Sequence, residues 1–357
     1  MFGIIMAGGQ GSRLMPLTQT RPKPMIEVLG RPVLEYVKDA MVAAGITNIV
    51  VTTGYRGEQL LDHVAGWCTG DETHAPLKAR VNQESVPMGT AGSVGLLRDE
   101  ITETCVVGSG DAVASFDIKA LLEVHRKNEA KVTMALWEVD DPSPFGIVGL
   151  SNTPDGNVNG DLREGFIRQF LEKPSPEEAF SNVINAGLYI LEPEVFEHIP
   201  IGEKYDFSKQ LFPHLLSIGW PMFAKTIDGV WFDVGQPSEL LIAQQTLMER
   251  YEELPFTYPV DSSVQGTSLV AMSASMSGKA TSSVIGKYAT VAQGAQVDGS
   301  ILMDGCSVGR DAVVKNSVLG CDSLIGEGAI VISCVLGDGA HVEAHATVEN
   351  ERISANS

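Results

Sequence analysis

Long apolar runs are missing from this chain; none reaches the roughly 20 residues that a bilayer-spanning helix needs. The opening MFGIIMAGG carries no basic leader, and its apolar stretch is too short for a secretory signal. Cysteine is scarce. The five present (Cys68, Cys105, Cys306, Cys321 and Cys334) are scattered without a CxxC spacing. That argues against a disulfide framework or a zinc site and fits a reducing cytoplasm. Positive charge is also short, with 25 lysines and arginines against 45 acidic residues. Such a balance predicts no nucleic-acid partner and no anionic membrane partner. It leaves an anionic small molecule open as substrate, because a few placed cations or a metal reverse the field locally.

What the chain does have is aliphatic residues in two different patterns. Up to about residue 250, short β-rich runs alternate with helical stretches. FGIIMA (2–7), NIVVTTG (48–54), TCVVGSGD (104–111) and KVTMALWEV (131–139) read as strands. RPVLEYVKDAMVAAG (31–45), GEQLLDHVAGW (57–67) and FDIKALLEVHRKN (116–128) read as helices, the first with Pro32 early and Gly45 as a stop. This order predicts an α/β fold with a mostly parallel sheet covered on both faces, and ligands beyond the carboxyl ends of its strands. ERYEELPFTYPV (249–260) then reads as a linker, placed at 251–260. From Ile285 an apolar residue recurs every five or six positions: Ile285, Val291, Val297, Met303, Val308, Val314, Leu319, Ile325, Val331, Leu336, Val342 and Val348. A near-constant step of this kind is a hexapeptide repeat and predicts about four coils of a parallel β-helix. A β-sandwich does not hold such a step. The domains are thus expected at 1–250 and 261–350, with a frayed tail at 351–357.

The segment MAGGQGSRLMPLTQTRPKPM (6–25) follows the first strand and sets glycines beside cations. Backbone N–H groups of such a loop can approach phosphate oxygens closely. It is no Walker loop, because GxxxxGK is absent. Nor is it a dinucleotide fingerprint, since Leu14 stands where the third glycine belongs. The loop therefore meets phosphates by another plan.

GGQGSRLMPLTQTRPKPM resembles the signature GGxGxRLxPLTxxxPKP of the sugar-1-phosphate nucleotidylyltransferases, with Ser12 in place of the usual threonine. QESVPMGTAGS (83–93), GSGDA (108–112), PFGIVGL (144–150), EKP (172–174), NAGLYIL (185–191) and WFDVGQPSE (231–239) follow in the family's order. A C-terminal hexapeptide β-helix is common there too, so the resemblance spans nearly the whole chain. It implies a Rossmann-like catalytic domain followed by a left-handed parallel β-helix.

It also implies the reaction, which joins a nucleoside triphosphate to a sugar 1-phosphate with loss of pyrophosphate. Mg²⁺ would be held by Asp111 and Asp233, and Arg13 and Lys23 would complete the catalytic set. Arg13 would bridge the β- and γ-phosphates through its planar fork, and Lys23 would meet the α-phosphate as a point charge. The nucleotide would lie along Ala7, Gly8, Gly9, Gly11, Ser12, Gln83, Gly89 and Thr90. The sugar phosphate would be met by Gly146, Glu172, Lys173 and Asn185. GTP with mannose 1-phosphate is the pairing implied by chains of this domain pairing; glucose 1-phosphate with UTP, dTTP or ATP is the alternative. A catalytically silent regulatory relative would be expected to have lost Arg13, Lys23 or an aspartate, and all are present. Arg21 has no role in the pattern and reads as a surface charge. His341 and His345 read as exposed, Trp67, Trp137 and Trp220 as packing residues, and the β-helix as the element of a homo-oligomer.

Overall fold

A computed structural model of the chain describes residues 1–54, 57–69 and 76–355. Tyr55 and Arg56 of the NIVVTTGYRGE run, and Asn356 and Ser357 of the expected tail, lie outside the described residues. The polypeptide divides into two compact units, neither continuous in sequence. One comprises Met1–Gly9 and Leu34–Trp231; the other comprises Gln10–Val33 and Phe232–Ser357.

The first unit is built on a nine-stranded sheet. The apolar strand Phe2–Met6, with Ile4 and Ile5 fully buried, lies between Asn48–Thr53 and Cys105–Ser109 and parallel to both. Lys78–Gln83 adds in parallel outside Asn48–Thr53. Beyond Cys105–Ser109 the sheet continues through Val183–Leu191, Val132–Glu138, Met222–Thr226, Glu164–Glu172 and Gly146–Ser151. Val183–Leu191 runs antiparallel to both of its main neighbours. Its register shifts between Asn185 and Tyr189, where Gly187 takes a φ of +81°. The pairings among Lys78–Gln83, Asn48–Thr53, Phe2–Met6 and Cys105–Ser109, and that of Val132–Glu138 with Met222–Thr226, are parallel, as the alternation of strands and helices predicts.

Helices Leu34–Ala43, Glu58–Trp67 and Ile118–Lys127 form where apolar residues recur at helical spacing. The third is capped by Asp117, whose Oδ1 accepts from Ala120 N at 3.0 Å. The first starts later than its sequence suggests: Arg31–Pro32 pairs with Glu27–Val28 as a short ribbon, and the helix begins only at Leu34. Trp67 is buried, its indole N–H donating to Glu35 Oε1 at 2.7 Å.

The second unit holds helix Pro237–Glu249 and the β-helix. Short strands form three stacks, one of seven strands and two of five, all paired in parallel except Ser262–Gln265, which runs antiparallel to Ser268–Ala271. From Val284 onward successive strands are 17 residues apart, as in Val284↔Ile301, Thr290↔Ser307 and Gln296↔Val313, whereas Leu269↔Val284 and Ser275↔Thr290 before them step by 15. A coil of 17 divides as six, six and five, which is why the apolar step alternates. The inward row at the short step is Ile285, Leu302, Leu319, Leu336 and Ile353. Leu302, not Met303, is therefore the repeat position; Met303 is buried too, in the turn that follows the strand, and apolarity alone did not separate the two. Beside this row runs a ladder of buried hydroxyls. Ser300 N donates to Ser283 Oγ, Ser317 N to Ser300 Oγ and Cys334 N to Ser317 Oγ, each at 3.0 Å. The ladder satisfies backbone donors that the corner would otherwise bury unpaired.

The segment expected as a frayed tail contains one more strand. Arg352–Ile353 pairs with Val335–Leu336 in the register of the coils before it, because Ile353 continues the apolar row. His341 and His345 are exposed, with His341 Nδ1 3.6 Å from Glu343.

Candidate active site

In the first unit, three parallel strands deliver their carboxyl ends side by side: Met6 is level with Thr52 on one neighbour and Ser109 on the other. Ala7 continues the ladder through its N–H to Thr52 O at 2.7 Å, and Gly8 and Gly9 follow, exposed. Gly110 N donates back to Met6 O at 2.8 Å, which places Asp111 at the same edge. Ser109 Oγ donates to Asp111 Oδ1 at 2.5 Å. Gln83 ends the fourth strand, exposed, with its amide over Gly57.

Beside Gln83 stands a residue that the sequence reading passed over. Glu84 Oε1 lies near the backbone of Gly8 and Gly54, since a side chain begun at those glycines would come within 3.6 and 3.1 Å of it. Its second oxygen, Oε2, is buried with no hydrogen-bond partner among the described residues. A buried carboxylate oxygen without a donor is costly, so a donor from a ligand would be favoured there.

Gly89 opens the short helix Gly89–Gly95, and Thr90 is engaged within the fold. The Thr90 hydroxyl accepts from Phe207 N at 3.0 Å and reaches Asp206 Oδ1 at 3.3 Å.

The residues read as a sugar-phosphate set also sit at strand ends in this unit. Gly146 is directly opposite Glu172, and a side chain at Gly146 would lie 2.7 Å from Glu172 Oε2. Only glycine leaves that carboxylate its place. Burial pushes the Glu172 carboxyl above its ordinary range, partly offset by Lys173 and then Lys209. Lys173 is exposed with a φ of +53°, its N–H bonded to Phe145 O at 2.8 Å. Asn185 has both ends of its amide in use. Oδ1 accepts from Gly187 N at 2.9 Å, and Nδ2 donates to Tyr189 Oη at 2.8 Å and Ser208 Oγ at 3.2 Å. It shapes the irregularity in its strand.

The second unit holds the rest of the loop. Gly11 adopts a φ of +62°, a conformation suited to glycine, and Thr18 Oγ1 closes the loop onto Gly11 O at 2.9 Å. Ser12–Leu14 is a single 3₁₀ turn whose Ser12 and Arg13 side chains are exposed. A side chain at Gly235 would come within 2.7 Å of Arg13 Nη2, so the guanidinium lies over the backbone of WFDVG. Lys23 is buried between Pro22 and Pro24, and its Nζ is 2.9 Å from Asp233 Oδ1. Two motifs about two hundred residues apart in sequence thus meet in one cluster. Prolines on both sides restrict the lysine's backbone.

Arg21 is not a surface charge. Its side chain is 14% exposed, and Nη2 donates to Asp338 Oδ2 at 2.6 Å and to Cys321 Sγ at 3.0 Å. Burial works against its charge, and the contacts to Cys321 and then Asp338 outweigh that and hold its pKa above the ordinary value. No contiguous motif could have revealed partners on the β-helix.

Each unit thus carries groups suited to phosphate: glycine backbone and a carboxylate at strand ends in the first, and an arginine and a lysine fixed by close contacts in the second. The comparisons with known proteins agree. Residues 2–250 match the family model described as nucleotidyl transferase, and residues 264–357 match that of the GMPPB C-terminal domain. The chain belongs to the nucleotidyl transferase family. It is 27% identical over 320 residues to mannose-1-phosphate guanylyltransferase 1 of Arabidopsis thaliana, covering 88% of this chain and 83% of that protein. It is 30% identical over 317 residues to mannose-1-phosphate guanylyltransferase of Mycobacterium tuberculosis, covering 87% and 82%. With mannose-1-phosphate guanyltransferase of Saccharomyces cerevisiae it shares 33% over 244 residues, covering 68% and 63%.

Proposed function

We propose that this enzyme makes GDP-mannose and pyrophosphate from GTP and mannose 1-phosphate. The observation that carries the reading is its likeness to guanylyltransferases through most of both chains, with the C-terminal domain matched as well. Glu84 adds a chemical reason. A carboxylate accepts hydrogen bonds from guanine N1–H and the 2-amino group together, a donor pair that uracil, thymine and adenine do not present. The carboxylate whose Oε1 lies by the Gly8 backbone and whose Oε2 is unpaired is a suitable acceptor.

In the reaction an oxygen of mannose 1-phosphate attacks the α-phosphorus of GTP in line. The bond from that phosphorus to the bridging oxygen breaks, and pyrophosphate leaves. Both reactants are anions, so the protein's task is alignment and charge neutralisation. Arg13 meets the β- and γ-phosphates and stabilises the leaving pyrophosphate. Lys23, set by its prolines and by Asp233, meets the α-phosphate. Backbone N–H groups of Gly8 to Gly11 and the Ser12 hydroxyl line the phosphates. Gln83 joins Glu84 at the base. Glu172 accepts from sugar hydroxyls, Lys173 balances the sugar phosphate, and Gly146 keeps the Glu172 carboxylate clear. Asp111 and Asp233 would hold Mg²⁺, an ion that takes one or two carboxylates and fills its other positions with phosphate oxygen and water. Bound there, Mg²⁺ supplies charge neutralisation and polarises the phosphoryl oxygens. All five cysteines are free thiols, which suits the reducing cytoplasm proposed as its compartment.

The test is pyrophosphate release with Mg²⁺, crossing GTP, UTP, dTTP and ATP with the 1-phosphates of mannose, glucose, galactose and N-acetylglucosamine. Release is expected for GTP with mannose 1-phosphate. Preference for another pair would replace the substrates. Silence across the grid, with tight binding of a finished sugar nucleotide, would make the chain a regulatory relative. Asp111→Asn and Asp233→Asn are each expected to remove most turnover while leaving the fold intact; near-normal rates would unseat them as metal ligands.

A further inference from the structure

We infer that the last coil of the β-helix is part of the catalytic apparatus, and that Arg352 and Asp338 are positioning residues for Arg13. This rests on the reading of Arg13 as the phosphate clamp.

The loop that carries Arg13 has no regular structure beyond single 3₁₀ turns. It is broken by Gly11, Pro16, Pro22 and Pro24, and its own backbone bonds are isolated turns, such as Leu14 N to Gly11 O, Met15 N to Ser12 O and Gln19 N to Pro16 O. Such a segment is positioned by what it is bonded to. Three contacts come from the final coil. Arg352 Nη1 donates to the carbonyl oxygens of Arg13 and Met15, each at 2.7 Å, and so grips the backbone on both sides of Leu14. Asp338 Oδ2 accepts from Arg21 Nη2 at 2.6 Å and from Thr20 Oγ1 at 2.5 Å, while its other oxygen accepts from Cys321 N at 2.8 Å. Between these points Pro16 lies against Gly337, so closely that a side chain there would stand 3.1 Å from the proline ring. The coil thus fixes residues 13, 15, 16, 20 and 21 from one side. On the other side the Arg13 guanidinium lies over Gly235, two residues after Asp233.

Arg352 is well made for this. Strand pairing with Val335 fixes its backbone, and its planar guanidinium presents several N–H donors in a fixed fork. Hydrogen bonds to charged groups are worth more than neutral ones, and a small displacement of a phosphate-binding group is enough to cost turnover. A β-helix needed only for stability or assembly would not require an arginine on the carbonyl of Arg13.

The experiment uses the full chain and reads KM for each substrate in both directions, with inorganic pyrophosphate as the probe of the clamp in reverse. Arg352→Ala is expected to raise KM for the triphosphate and for pyrophosphate about tenfold. KM for the sugar phosphate and the melting midpoint should stay unchanged. Arg352→Lys should recover part of the loss, since an ammonium reaches the carbonyls without the planar fork. Asp338→Asn should act in the same direction as Arg352→Ala. Glu349→Gln, at an exposed strand position of the last coil, should behave as wild type. If Arg13→Ala collapses activity while Arg352→Ala and Asp338→Asn change nothing, the inference fails and Arg13 keeps its role. If Arg13→Ala is itself silent, the reading of Arg13 fails and takes the inference with it. Equal losses for both substrates, accompanied by a lower melting point, would also overturn it, because that is the mark of a general structural role.

Discussion

At the scale of single residues, Glu84 gives the sharpest contrast between two chemistries of one side chain. As a carboxylate it can accept twice; as an amide it accepts once and donates once. Glu84→Gln is therefore expected to lower kcat/KM for GTP by tenfold or more, the cost of about 1–3 kcal/mol for a broken bidentate base contact. The same change should favour XTP, whose 2-oxo group accepts the amide N–H. Kinetics with GTP, ITP and XTP would show it; an unchanged GTP-to-XTP ratio would remove Glu84 from the base site. The loop motif itself was legible because Arg13 and Lys23 lie within one contiguous stretch whose spacing carries meaning. Glu84 was not, because nothing in QESVPMGTAGS distinguishes an exposed Gln83 from a neighbour with one buried, unpaired oxygen. Arg21 was out of reach for another reason: its partner is 317 residues away in sequence.

Among elements, the junction of helices Leu34–Ala43 and Glu58–Trp67 depends on one buried carboxylate. Glu35 accepts from His63 Nε2 at 2.6 Å and from Trp67 at 2.7 Å, and it pairs with Lys38 on its own helix. Burial alone would push the Glu35 carboxyl up; the His63 hydrogen bond and the Lys38 charge outweigh it and hold it at about 2. A depressed carboxyl stabilises the fold at pH above its ordinary value, and that stabilisation fades as pH falls toward 2. The contribution at neutral pH is on the order of 3 kcal/mol. Glu35→Gln should therefore lower the melting temperature at pH 7, and the gap to wild type should narrow as pH falls through the range below 4.5. A gap that stays constant with pH would mean the carboxylate charge does no such work. At this scale the sequence was a good guide wherever period decides, as in the strands flanking Phe2–Met6 and the stepping of the β-helix. It was a poor one where two apolar neighbours compete, as at Leu302 and Met303, or where one favourable residue extends an apolar row, as Ile353 does.

For the whole molecule, the proposed homo-oligomer has a physical basis in the β-helix. Its surface carries Val264, Met272, Tyr288 and Leu324, exposed by 57%, 69%, 75% and 47%, and such side chains would favour association where they gather into one patch. Light scattering at micromolar concentrations is expected to report a multiple of the 38.1 kDa chain mass; a monomer throughout would exclude assembly through this domain. Strand stacks repeat at about 4.8 Å, so a chain that gained or lost one whole coil would keep every internal pairing and still fold. Its tip, however, would overshoot or fall short of the carbonyls of Arg13 and Met15 by that same distance. The β-helix is in this sense a gauge block: inheritance can alter its length only in whole steps, and a single step is already too coarse for the loop it must meet.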